Sequence, residues 1–157
     1  MKYYKNSIST PVGNLIAKYS HSELYELKFC NYYIYNKESD NFFFTNLKKE
    51  IKEYFSKQRN FFTIELAPAG TPFQTKVWKE LQQIPYNSTA AYETIAKRIK
   101  NKNLSRTVAN AVGANPIVII IPCHRVIRKN GKIGGFGGGA ARKRFLLNLE
   151  KNGKTYA

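Results

Sequence analysis

Acidic side chains are scarce in this chain of 157 residues: ten Asp and Glu stand against 26 Lys and Arg, a formal net charge of +16. Such an imbalance excludes an electrically neutral surface and favours a polyanionic partner, of which nucleic acid is the commonest. Cysteine is nearly absent, with Cys30 and Cys123 alone. Two thiols do not make a secreted disulfide framework, and a reducing, cytoplasmic setting would keep both free. The two histidines and two cysteines are scattered without zinc-site spacing, so no metal site is expected. No apolar run approaches the ~20 residues of a membrane span. The opening Met1-Lys2-Tyr3-Tyr4-Lys5 does not read as a signal peptide, and no long basic amphipathic helix suits a membrane surface.

What is present is unevenly shared. Residues 1–66 hold ten basic against seven acidic residues, or +3, whereas residues 67–157 hold sixteen against three, or +13. The length suits one compact domain or two small ones, and the charge shift argues for two, 1–66 and 67–157. The first half reads as a β-meander: Leu15, Ala17 and Tyr19 alternate, as do Leu27 and Phe29, with turns at Thr10–Asn14 and His21-Ser22. Leu47, Ile51, Tyr54 and Phe55 then form one apolar face of a helix. Fifteen of the 22 aromatics lie in this half. Without matching basic charge they are read as packing rather than base stacking. Nothing in the half carries chemistry, and it reads as a scaffold.

After a linker, Ala67-Pro68-Ala69-Gly70, Thr71-Pro72-Phe73-Gln74 has the form of a capped helix start. Phe73, Val77, Leu81 and Ile84 give its buried face, with Trp78 at the rim of the core. Tyr92, Ile95, Ala96 and Ile99 predict a short helix, Asn101-Lys102-Asn103 breaks the pattern, and Ser105 can cap a second helix from Arg106 to Val112, ended by Gly113. Two short helices with a tight turn make a helix-turn-helix. The β-branched run Ile117–Ile121 predicts a buried strand ended by Pro122, which delivers Cys123 and His124 at its exit. A neighbouring imidazole and a cationic field favour the thiolate. Six of the ten glycines fall between Gly131 and Gly139, a mobile loop lacking the Lys-Ser/Thr of a P-loop. A last helix carries Ala141, Phe145 and Leu149 on one face, has Glu150 near its end and stops at Gly153.

The string Pro122-Cys123-His124-Arg125-Val126, with Asn115-Pro116 ahead and the glycine cluster behind, resembles the signature of the O6-alkylguanine-DNA alkyltransferases. The resemblance is dense from Thr71 to Glu150 and looser elsewhere. It implies an α/β (α+β) fold, with a ribonuclease-H-like N-terminal scaffold and a helical C-terminal domain bearing the helix-turn-helix and an active-site loop. It implies repair of double-stranded DNA by irreversible alkyl transfer from O6 of guanine, with O4 of thymine as a second candidate, to Cys123, once per molecule. No cofactor, metal or obligate protein partner is implied, and a monomer is expected. By the same resemblance His124 is the base acting through a water, Glu150 orients it, Tyr92 donates toward the guanine, and Asn115 braces the turn carrying the thiol. Arg106 takes the place of the extruded base, while Thr107, Ala109, Asn110, Arg125 and Gly137 fall at DNA-contacting positions. For Arg125 a structural role is the alternative. The second helix enters the minor groove, and the glycine loop walls the guanine pocket. Two departures stand out: Ala91 replaces a Ser or Thr cap, for which Thr89 could substitute, and Phe136 replaces a Tyr. Two other readings fit the same residues, a lesion-binding protein without transfer and a Cys–His–Glu thiol hydrolase. Cys123 speaks against the first, and the adjacent Cys-His order and the +13 half against the second.

Overall fold

The computed structural model describes residues 2–100 and 105–151. The chain divides into two compact units, Met1–Ala69 and Gly70–Ala157. In the first, strands β1 (Tyr4–Thr10), β2 (Gly13–Tyr19) and β3 (Leu24–Cys30) form an antiparallel sheet in that order. The alternation read from the sequence holds, since Leu15, Ala17, Tyr19 and Leu27 are all fully buried. Asn41 caps helix α1 (Phe42–Phe55) by accepting from the Phe44 amide at 2.9 Å. The Phe44 ring stacks on Tyr19 at 5.0 Å, so these two serve packing as expected, whereas Tyr3, Tyr32, Tyr33, Tyr35, Phe42 and Phe61 are exposed. Leu47, Ile51 and Tyr54 are buried beneath the helix.

The second unit opens with α2 (Pro72–Gln82), whose Thr71–Gln74 capping box forms in both directions. Val77, Leu81 and Ile84 are buried as expected. Trp78, placed at the rim from the sequence, lies instead in the core: it is 1% exposed, and its Nε1 donates to the Ala111 carbonyl at 2.8 Å. That bond satisfies the indole where water is excluded. It also ties α2 to α4 (Ser105–Gly113), whose buried residues are Val108, Ala111 and Val112. Ser105 is the first helical residue rather than an outside cap. Helix α3 (Tyr92–Arg98) packs on α4 and buries Ile95 and Ala96. Its N-cap position is Ala91 with no side-chain cap hydrogen bond, so Thr89 does not substitute. The expected turn at Asn101-Lys102-Asn103 and the stop at Gly153 lie outside the described residues.

Two short strands went unread in the sequence. β4 (Ala90–Ala91) pairs in parallel with β5 (Val126–Ile127), Ala90 against Val126 and Ala91 against Ile127. This pairing sets the start of α3 beside the segment that follows Cys123. The final helix, α5 (Ala140–Glu150), corrects another expectation. Ala141 is exposed, Phe145 is 39% exposed and Leu149 is half-buried, while Lys143, Leu146, Leu147 and Glu150 form the buried face. The spacing is helical, but two of its four members are charged and find partners inside. Among the described residues no helix is long and apolar enough to cross a membrane.

Candidate active site

The run Ile117–Ile121 is not a strand. It coils: the Ile120 amide donates to Val118 O at 2.8 Å, Ile121 to Ile117 O at 3.1 Å, and Cys123 to Ile121 O at 2.8 Å. Ile119 takes φ of 73°, in the left-handed region that a β-branched residue rarely enters. Strain of this kind costs on the order of 1–3 kcal/mol and persists only where the surroundings over-determine it. Asn115 supplies much of that constraint, since its Nδ2 donates to Ile121 O at 2.8 Å and its Oδ1 accepts from Ile117 N at 3.0 Å. Burial supplies the rest, with Ile117, Ile119 and Ile121 at 1% exposure or less. A run of isoleucines signals burial on all sides, and a buried coil meets that demand as well as a strand does.

Pro122 leads into a single 3₁₀ turn, Cys123–Arg125, all of it buried. The His124 and Arg125 side chains converge on Glu150 at the end of α5. His124 Nε2 lies 2.6 Å from Glu150 Oε2. A carboxylate can only accept, so Nε2 carries the proton and Nδ1 the lone pair of the neutral ring. Nδ1 is buried and has no protein partner among the described residues. Arg125 donates from Nε to Glu150 Oε1 at 2.8 Å, from Nη2 to Oε2 at 3.1 Å and from Nη1 to Ile84 O at 2.8 Å. Being 7% exposed and so engaged, it does not reach a nucleic-acid surface, which corrects the DNA-binding assignment and leaves the structural one.

The electrostatics follow from burial. Burial pushes the Cys123 thiol up, against the pull of a hydrogen bond from Asn115 and the charge of Lys143. The resting group is therefore a thiol, not the thiolate expected from its neighbours. Burial likewise lowers His124, against the raising effect of Glu150, so the ring is neutral and able to accept a proton. Burial raises Glu150 too, but His124 and Arg125 outweigh it and hold the carboxyl at about 2. Tyr92 is half-buried and raised by burial, and a thiolate at Cys123 would raise it further.

Of the residues singled out from the sequence, Cys123, His124, Glu150, Tyr92 and Asn115 are thus brought together. Arg106, Thr107 and Asn110 lie on the exposed face of α4, Ala109 is half-buried there, and Gly137 is exposed in the glycine loop. Lys143 went unread. It is fully buried, and its Nζ donates to Val126 O at 2.6 Å and Gly135 O at 3.2 Å, tying β5 to the glycine loop. Burial lowers it to about 8, against the raising effect of Cys123. The signal was there in the 143/146/147/150 spacing, which a count of apolar residues alone passes over. Among the described residues no cluster of three potential metal ligands occurs.

A buried thiol on a braced turn, backed by a neutral imidazole and its carboxylate in a strongly basic helical unit, defines a thiol-acceptor protein of the nucleic-acid-processing kind. The comparisons with known proteins specify it. The model of the 6-O-methylguanine DNA methyltransferase DNA-binding domain matches residues 72–152, and that of the family's ribonuclease-like domain matches residues 3–68. The chain belongs to the 6-O-methylguanine DNA methyltransferase family. It is 46% identical to a methylated-DNA–protein-cysteine methyltransferase of Methanosarcina mazei over 80% of this chain and 77% of that protein. The crystal structure of the Mycobacterium tuberculosis O6-methylguanine methyltransferase superposes with a TM-score of 0.85 at 38% identity, covering 95% of this chain and 93% of the other. A complex of the M. tuberculosis protein with DNA matches at 0.85 and 39%, covering 93% and 92%.

Proposed function

We propose that this protein repairs double-stranded DNA by taking the alkyl group from O6 of guanine, and from O4 of thymine where that lesion occurs, onto Cys123. The observation that carries the reading is that Cys123 and His124 share one buried turn and His124 is held by Glu150 at the end of α5, with His124 Nδ1 unengaged by protein among the described residues. The alkyl carbon lies inside the duplex, so the nucleotide has to leave the stack. Neutral His124 takes the thiol proton, through a water, while Glu150 steadies the imidazolium that forms. Sulfur attacks the alkyl carbon as the carbon–O6 bond breaks. Tyr92 donates toward the departing purine, and the thiol proton ends on the guanine. The net exchange is balanced without a cofactor. The thioether product has no ionisable proton and resists water, so each molecule acts once. Helix α4 supplies the duplex contacts through Arg106, Thr107 and Asn110, and the protein acts as a monomer. A thiol consumed in the reaction has to be kept reduced, which suits the cytoplasm.

Intact-mass measurement after incubation with a methylguanine duplex tests the reading. One methyl mass per molecule on Cys123, followed by loss of activity, is expected. Repeated turnover, or the mass on Cys30, would sink it.

A further inference from the structure

The turn after β5 carries positive charge that the reaction leaves unused. The Arg128 amide donates to Lys132 O at 2.9 Å and Gly131 N to Arg128 O at 2.9 Å, with Gly131 at φ of 84°. Residues 128–132 therefore reverse tightly, and all five are exposed. Lys129 is committed to Glu93 at 3.3 Å. Arg128 has no ion pair and no side-chain hydrogen bond among the described residues. Its location is specific: a Cβ built on Gly134 would stand 3.3 Å from Arg128 Cγ, 3.7 Å from its Nε and 3.7 Å from Tyr92 Oη. The arginine stem and the phenol thus approach the same point of the glycine loop. Tyr92 and Lys143 both feel the charge of Arg128, and both feel Cys123.

An exposed guanidinium whose charge reaches the buried Lys143 is repelled by its own chain, and no carboxylate pairs with it among the described residues. An external anion would. The planar fork fits a phosphate through two parallel hydrogen bonds, and a nucleotide that leaves the stack brings its phosphates with it. We propose that Arg128 contacts a backbone phosphate of the nucleotide entering the site, and so favours nucleotides in a polymer over free bases. This rests on the reading that Cys123 reacts with an extruded guanine.

Single-turnover alkylation of Cys123 in Arg128→Gln and Arg128→Lys tests it, with methylguanine presented as duplex, as the nucleoside and as the nucleoside 3′,5′-bisphosphate. The Gln variant is expected to lose about tenfold more on the duplex and bisphosphate than on the nucleoside, with part recovered in the Lys variant. Its plot of log binding constant against log salt should be shallower by about 0.9, one phosphate contact. Equal losses on all three substrates would overturn the proposal and make Arg128 a support for Tyr92 and Gly134. An unchanged salt slope with an unchanged duplex rate would overturn it as well. A loss confined to a duplex bearing a carboxylate-terminated O6 adduct would assign the guanidinium to the adduct instead of the phosphate. Failure of wild-type protein to alkylate Cys123 refutes the underlying reading separately.

Discussion

Glu150 accepts from Nε2 of His124, from Nε and Nη2 of Arg125 and, at 3.4 Å, from the backbone amide of Asn87. The residue is therefore structural and electrostatic at once. Glu150→Gln leaves the Arg125 guanidinium buried without its counter-charge, and breaking a buried pair in this way costs roughly 3–5 kcal/mol. The pH dependence has a definite sign. With the folded carboxyl at about 2, well below its ordinary value of 4.5, the stabilisation is complete above that ordinary value and is lost as pH falls toward 2. The stability gap between wild type and variant, measured by denaturant melts, should accordingly narrow in acid. Kinetics separate the second role. Glu150 raises His124, so removing its charge should move the acid limb of the single-turnover rate to lower pH and depress the plateau. An acid limb that stays in place would reduce Glu150 to packing and leave His124 without its partner in the reaction.

The elements show where local rules were obeyed and where they were overruled. Helix α3 follows an extended Ala91 at its N-cap, which offers no side-chain hydrogen-bond acceptor to the first amides. Ala91→Ser should supply that acceptor and raise stability by about 1 kcal/mol, seen as an upward shift in Tm. An unchanged Tm would mean that these amides are already satisfied. Helix α2 has the opposite weakness. Gly70 precedes it where a Cβ would stand 2.4 Å from Trp78 Cη2 and 2.6 Å from Cζ3. The ring cannot retreat, because its Nε1 is held by Ala111 O. Gly70→Ala should therefore destabilise by about 1–3 kcal/mol, as overpacking does. A neutral result would show that the indole is free to turn.

Across the whole molecule the charge is lopsided, with +13 of the net +16 after residue 66. Part of it is internal: Arg125 and Lys143 are buried and pair with groups of their own chain. The charge available to DNA is smaller than the sequence total by those two, while Arg106 and Arg128 remain at the surface. Duplex affinity should fall steeply with salt, log K dropping by about 0.9 for each phosphate contact per tenfold rise in salt. Arg106→Ala should slow repair of duplex more than reaction with the free base. A flat salt response would remove the groove contact, and equal losses on both substrates would place Arg106 in support of the fold.

Local pattern was enough for the meander, for α1 and for the capped start of α2, because alternation, helical spacing and the Thr71–Gln74 box act through neighbours in the chain. It was also enough for Cys123 and His124 as candidates, since the motif names them, whereas Glu150 came with the family resemblance. Tertiary structure decided what depends on distant partners. Ile117–Ile121 became a coil because Asn115 brackets it from outside the run. Helix α5 turned Lys143 and Glu150 inward because carbonyls at Val126 and Gly135 and the side chains of His124 and Arg125 were waiting there. Burial then set the charge states, leaving a thiol where adjacency alone favoured a thiolate, and a neutral imidazole beside it, because desolvation depends on the atoms that surround a group and not on its place in the chain.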